Sequence, residues 1–357
     1  MAALKLDAPL LTGLLAVTAF GLVVLWSAGG QDQGLLVRQL VRLGVAFGVM
    51  LVIAQLPPKI LRLWAPWMFV IGLGLLFAVL FFGDMGKGAQ RWLDLGVVRF
   101  QPSEMMKLAV PMMAAWYLHD RPLPPRFLEL CVLLLMVVVP AFLIARQPDL
   151  GTALLVASSG ILVVLLGGLR VRMIVLLGAL GAALAPVLWY FMHDYQRRRV
   201  LTFLQPESDP LGAGYHIIQS KIAIGSGGLF GKGWGNGSQA QLEFLPERST
   251  DFIFAVLGEE FGLIGLALLI AAYLFIIGRG LYIALQAQDT FGRLLAGSIS
   301  LTFFVYVFVN TGMVTGLLPV VGVPLPLVSY GGTSMVTLMA GFGMLMSVQG
   351  HRNLLAR

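Results

Sequence analysis

Repeated apolar stretches of about 20 residues constrain this chain more than any motif does. Each is long enough to cross roughly 30 Å of hydrocarbon as a helix, and a bilayer leaves the backbone only helices or closed barrels. Such runs lie near residues 9–28, 35–56, 60–82, 103–119, 127–146, 150–168, 171–194, 251–278, 293–317 and 333–350. The expected fold is therefore an all-α integral membrane protein, a bundle of ten transmembrane helices forming a single polytopic membrane domain over residues 1–357. Composition agrees, with 58% hydrophobic and only 11% charged residues, against roughly 25% charged in a soluble domain. A net charge of +7 would point to nucleic acid in a soluble protein. Here it fits cytoplasmic loop anchors and an anionic lipid substrate, and no nucleic acid is expected. The lone Cys131 excludes an intrachain disulfide. The first run has the length of a signal peptide, but the spans that follow mark it as a retained helix.

With the N-terminus inside, the inside segments carry Lys5, Lys59, Arg62, Arg121, Arg126, Arg170, Arg172, Arg279, Arg293, Arg352 and Arg357. The outside basic residues lie mostly in two longer loops, about 83–102 and 195–250, which the positive-inside rule discounts. Both termini are expected in the cytoplasm, with the long extracytoplasmic loop, about 195–250, between helices 7 and 8. The segment 318–332, LPVVGVPLPLVSYGG, is rich in proline and glycine yet almost wholly apolar. Backbone of that kind at membrane depth belongs inside protein or along a cavity. All three irregular segments then share the outer face, which predicts one outward-opening cavity.

Ionisable residues in or beside spans are costly, so each is a functional candidate. Glu104 and Lys107 are three apart on one helical face and can pair, either as a structural ion pair or as part of a site. Just upstream, Gln90-Arg91-Trp92 offers amide, guanidinium and aromatic groups. Arginine's fork suits phosphate oxygens, although Arg91 can equally anchor a lipid headgroup. Asp149 can cap the next helix, or orient Arg146 or a substrate hydroxyl. The stretch 225–237, GSGGLFGKGWGNG, lacks P-loop spacing. It reads as a flexible loop or as backbone that approaches a pyrophosphate together with Lys221 and Lys232. Asp251 precedes a long apolar helix and can cap it. Its neighbours Phe244, Leu245, Phe252, Ile253 and Phe254 would partly desolvate the carboxylate, which favours a general base at neutral pH. Glu259 and Glu260 would lie about 12 Å deeper along a continuous helix, as partners for arginines or as part of a proton path. The histidines His119, His193, His216 and His351 are scattered, and neither an H-E-x-x-H motif nor a G-x-S-x-G elbow occurs. What remains is equipment for acid–base chemistry on a phosphorylated lipid.

The blocks QRW (90–92), QPSEMMK (101–107), RQPDLGTA (146–153), IAIGSGGLFGKGWGNGSQ (222–239), FLPERSTDFIFAVLGEEFG (244–262) and TGLLPVVGVPLPLVSYGGTS (315–334) resemble the SEDS proteins (shape, elongation, division and sporulation). These are peptidoglycan polymerases of the bacterial inner membrane, and the short tails are most similar to the elongation branch. The resemblance implies a peptidoglycan glycosyltransferase that transfers glycan from lipid II, an undecaprenyl-pyrophosphoryl disaccharide-pentapeptide. It places the family's loop aspartate on Asp251 and its paired helix residues on Glu104 and Lys107. Further substrate-binding positions fall on Gln90, Arg91, Asp149, Gln219 and Lys232. Implied partners are a class B penicillin-binding protein and other membrane proteins of the elongation complex. No cofactor is required, though a divalent cation could assist the leaving group. Two rivals predict different behaviour: a lipid II flippase, and a non-catalytic scaffold for the penicillin-binding protein.

Overall fold

A computed structural model describes residues 5–86, 89–94, 99–169, 171–192, 197, 201–202, 205, 213–242, 244–245 and 247–352. Arg170, His193, Arg198, Arg199, Arg357 and stretch 206–212 of the expected long loop lie outside the described residues. In chain order the elements begin with α1 (Ala8–Ala28), α2 (Gln33–Gln55) and α3 (Pro58–Phe82). Three short strands follow, β1 (Asp84–Gly86), β2 (Ala89–Asp94) and β3 (Arg99–Phe100). Then come α4 (Pro102–His119), α5 (Phe127–Arg146), α6 (Leu150–Leu166), α7 (Val171–Phe191), α8 (Ala213–Gly227) and α9 (Ser238–Gln241). The last are α10 (Ile253–Gln286), α11 (Thr290–Thr315) and α12 (Thr333–Gly350).

Carboxylates set several helix starts. Asp7, Asp32, Asp149 and Asp289 each accept a backbone N–H from the first turn of α1, α2, α6 and α11, satisfying donors that the helix cannot. By length and composition, α1, α2, α3, α5, α10 and α11 can cross a membrane. The peripheral α2 and α3 expose Val41, Val52, Leu63, Trp64 and Phe81, a surface suited to lipid rather than water. By contrast α4 is enclosed by α3, α5, α6, α11 and α12, with both Glu104 and Lys107 buried. A helix shielded from lipid can carry charge that a peripheral one cannot.

Three features depart from the sequence expectation. The 83–102 loop contains a small antiparallel sheet in the order β1-β2-β3, a local exception to an all-α reading. The long loop holds the 15-residue helix α8. The expected continuous helix from 251 starts at Ile253 and breaks at Gly262, whose φ of 65° and ψ of −163° interrupt it. Only glycine adopts that backbone readily. The glycine-rich stretch repairs the break. Lys232 N and Gly233 N donate to the Glu259 and Glu260 carbonyls (2.9 and 3.0 Å), while Leu263 N and Ile264 N donate to Gly228 O and Leu229 O (2.9 and 3.2 Å). A Cβ on Gly227 would run into the Gly258 carbonyl, and one on Gly231 into that of Glu260. These glycines permit backbone-to-backbone packing, so Glu259 and Glu260 sit at a repaired break rather than deep along an unbroken rod.

Candidate functional site

Three regions carry the candidate residues: the sheet, the first turns of α4, and the turn before α10. From the sheet, Arg91 on β2 reaches the α5–α6 corner. Its Nε donates to Gln147 O at 3.3 Å, one terminal nitrogen donates to Pro148 O, and the other lies 4.0 Å from Asp149 Oδ1. Asp149 caps α6 by accepting from Thr152 N at 3.2 Å, and its Oδ2 accepts from Gln101 Nε2 at 3.0 Å. Capping and contact with Arg91 therefore coexist. Gln90 is placed by its backbone, which pairs with Met85.

One turn into α4, Lys107 Nζ donates to Glu104 Oε1 at 2.6 Å, both side chains being almost fully buried. The i,i+3 spacing puts them on one face. Glu104 Oε2 makes no hydrogen bond among the described residues. The Lys107 ammonium lies 5.3 Å from the centroid of the Tyr306 ring on α11, within cation–π range. Lys107, Thr302, Phe303, Tyr306, Thr337 and Leu338 are among the residues lining a cavity between α4, α11 and α12. A neighbouring cavity shares Tyr306 and Leu338 and is also bounded by Pro324–Leu327, Ser329 and Ser334.

The third region carries Asp251. It is half-buried in a turn before α10, where Thr250 N and Phe252 N both donate to Glu247 O (3.1 and 3.3 Å). The 318–332 segment lies between this turn and α6. A Cβ on Gly322 would sit 3.5 Å from Asp251 Oδ2, and one on Gly151 of α6 would sit 2.7 Å from Val321 O. The ring of His216 on α8 stacks on Phe252, with centroids 5.5 Å apart. Gln219, one turn further along α8, is half-buried.

Lys232 belongs to a different neighbourhood. Its Nζ donates to Glu259 Oε1 at 2.7 Å and to Ser238 Oγ at 2.9 Å. Glu259 also accepts from Ser238 Oγ at 3.0 Å and, through both carboxylate oxygens, from Gln239 N at 3.1 Å. Glu260 accepts from Ser27 Oγ of α1. Lys232 thus anchors the glycine-rich stretch to α10. Tyr306, Asn310 and Ser329 were not among the sequence candidates, and His216 entered only as one of four scattered histidines. Asn310, an amide inside an apolar run, was the available signal. Among the described residues, no three His, Cys, Asp or Glu gather as a metal site would.

Fold and site together define a multi-pass helical membrane protein whose polar groups collect where irregular segments meet at the helix ends. The sequence profile of the FtsW/RodA/SpoVE family, described as cell cycle protein, matches residues 6–354. The chain belongs to this family. It is 56% identical to "Peptidoglycan glycosyltransferase MrdB" of Escherichia coli (strain K12), covering 99% of this chain and 95% of that protein. It is 38% identical to "Probable peptidoglycan glycosyltransferase FtsW" of Trichlorobacter lovleyi, covering 96% and 92%. The solved rod shape determining protein RodA of Thermus thermophilus superposes with a TM-score of 0.75 at 30% identity, over 99% of this chain and 100% of that one. A chain from "Structural coordination of polymerization and crosslinking by a peptidoglycan synthase complex" superposes with a TM-score of 0.85 at 34% identity, with the same coverage.

Proposed function

We propose that this chain is a peptidoglycan glycosyltransferase that polymerises lipid II for cell elongation, with Asp251 as its general base. The acceptor sugar's 4-hydroxyl oxygen attacks the donor's anomeric carbon while the bond from that carbon to the pyrophosphate oxygen breaks. Asp251 takes the hydroxyl proton, and undecaprenyl pyrophosphate leaves with the bonding electron pair. Direct displacement converts the donor's α linkage into a β-glycan without a covalent enzyme intermediate. Arg91 and Lys107 face the charge that grows on the pyrophosphate, and fixed charges aimed at such a group usually supply most of the rate enhancement. Glu104 holds Lys107 in place, and Gln90, Asp149, Gln219 and Lys232 complete the substrate-binding set, Lys232 through the anchored glycine-rich stretch. All ten long helices cross the bacterial inner membrane, both termini are cytoplasmic, and a class B penicillin-binding protein crosslinks the product.

The observation that carries this reading is the meeting of the 247–252 turn with the 318–332 segment. It sets a half-buried carboxylate beside Gly322, on one side of a segment whose other side packs on the Asp149-capped helix. The test uses purified protein with its penicillin-binding partner, transpeptidase and other polymerase activity blocked, supplied with lipid II. Asp251→Ala, shown by its melting curve to be folded, should make no glycan strands. Wild-type rates from that variant would remove Asp251 as base. Transport of labelled lipid II across liposomes by wild type, without polymer, would instead establish a flippase. Neither activity would leave a scaffold.

A further inference from the structure

A turn can set its own shape but not its place in the molecule. The bonds from Thr250 N and Phe252 N to Glu247 O are local, and they leave the Asp251 turn to be located by something else. Three long-range bonds do this, one to each of three successive carbonyls. Ser249 O accepts from Tyr330 N at 2.8 Å, Thr250 O from Ser329 Oγ at 2.6 Å, and Asp251 O from Asn310 Nδ2 at 2.9 Å.

Two of the donors are side chains, and each ties the turn to the segment that faces it. The Asn310 amide nitrogen donates also to Val323 O at 2.7 Å, next to Gly322. The Ser329 hydroxyl accepts from Leu325 N at 2.8 Å while donating to Thr250 O. Asn310 is fully buried in α11 and Ser329 is 3% exposed. A wholly buried amide within an apolar helix is expensive unless its hydrogens are used. Here both go to main-chain carbonyls on either side of one seam.

We infer that Asn310 and Ser329 are positioning residues that set where the Asp251 carboxylate stands against segment 321–325, and that they act on turnover through Asp251. The inference rests on Asp251 being the base. A misplacement of about 1 Å near reacting atoms can cost on the order of a hundredfold in rate. In the lipid II assay, Asn310→Ala and Ser329→Ala should each lower kcat by about 10- to 100-fold with KM nearly unchanged. Ser329→Thr, which keeps the hydroxyl, should restore most of the rate.

A change that only loosens the fold would instead lower melting temperature and spare kcat of the folded fraction. The second arm repeats both substitutions in an Asp251→Glu background, where the carboxylate is already displaced by one methylene. If the residues act through that carboxylate, their cost should shrink to roughly threefold or less there, because groups acting as a unit are not additive. Equal costs in both backgrounds would overturn the inference, as would kcat near wild type for Ser329→Ala, which decides alone if Asn310→Ala does not fold. Full activity of Asp251→Ala would remove the base reading instead. An inactive Asp251→Ala beside fully active Asn310 and Ser329 variants would leave the base standing and remove the positioning role.

Discussion

Glu104–Lys107 and Glu259–Lys232 are ion pairs of nearly equal length, 2.6 and 2.7 Å, with buried carboxylates, yet their surroundings assign them different work. Glu259 is saturated. It accepts from Lys232, Ser238 and Gln239 N, and so fastens the glycine-rich stretch to the broken helix α10. Glu104 spends one oxygen on Lys107 and keeps the other without a bond among the described residues, while Lys107 borders a cavity. The pair type therefore says little about role. What separates them is whether the neighbours exhaust the hydrogen-bonding capacity, because a buried polar group left unsatisfied is costly and awaits a partner.

Replacing both members of each pair by neutral groups of similar shape puts this contrast to its hardest test. Lys107→Met with Glu104→Gln should keep the fold, since neutral replacement of a buried pair is often tolerated. It should lower polymerisation by about 10²- to 10³-fold, the scale of losing a group that stabilises developing charge. Lys232→Met with Glu259→Gln, which loosens the glycine-rich stretch but leaves Arg91 and Lys107 in place, should lower strand synthesis from lipid II by only about tenfold or less. Equal losses in that assay would erase the distinction.

A single substitution, Glu259→Ala, should cost about 3 kcal/mol, since it removes the carboxylate that pairs with Lys232 and accepts from Ser238 Oγ and Gln239 N. Thermal unfolding of the detergent-solubilised protein reads this, and a melting curve like wild type would show the anchor to be idle. Smaller again is Gly231→Ala. A φ of +79° and the nearby Glu260 carbonyl make it destabilising by about 1–3 kcal/mol, with release of the stretch visible as faster limited proteolysis.

The smallest effect has the opposite sign. Gly225 lies inside α8 with nothing within 4 Å of an added Cβ, so Gly225→Ala should raise stability by about 0.5–1 kcal/mol. A drop in melting temperature there would mean that the helix needs glycine for some reason other than packing.

Much of this architecture was legible in the chain. The positions of the long helices followed from apolar runs, and the Glu104–Lys107 contact followed from helical spacing. The capping of α6 by Asp149 came from an acid before an apolar run. The glycine-rich stretch was harder. Its composition suited a phosphate cradle or a loose loop, and nothing local revealed that Lys232 meets an acid 27 residues away or that the glycines pack on the Gly262 break. Asn310 and Ser329 were overlooked for the same reason, since an amide and a hydroxyl announce no partner until α11 and the 324–330 segment fold against the Asp251 turn.

The sequence by itself determined that this is a helical membrane protein, because the length of an apolar run is a local property that a bilayer reads directly, and its motif blocks carried the resemblance to the FtsW/RodA/SpoVE family. It also named the charged residues that such a membrane tolerates only with a purpose. Only the tertiary structure decided which of them share a neighbourhood, which carboxylate is saturated and which backbone carbonyls locate the Asp251 turn. Those facts are distances between residues far apart in the chain, and no single segment contains them.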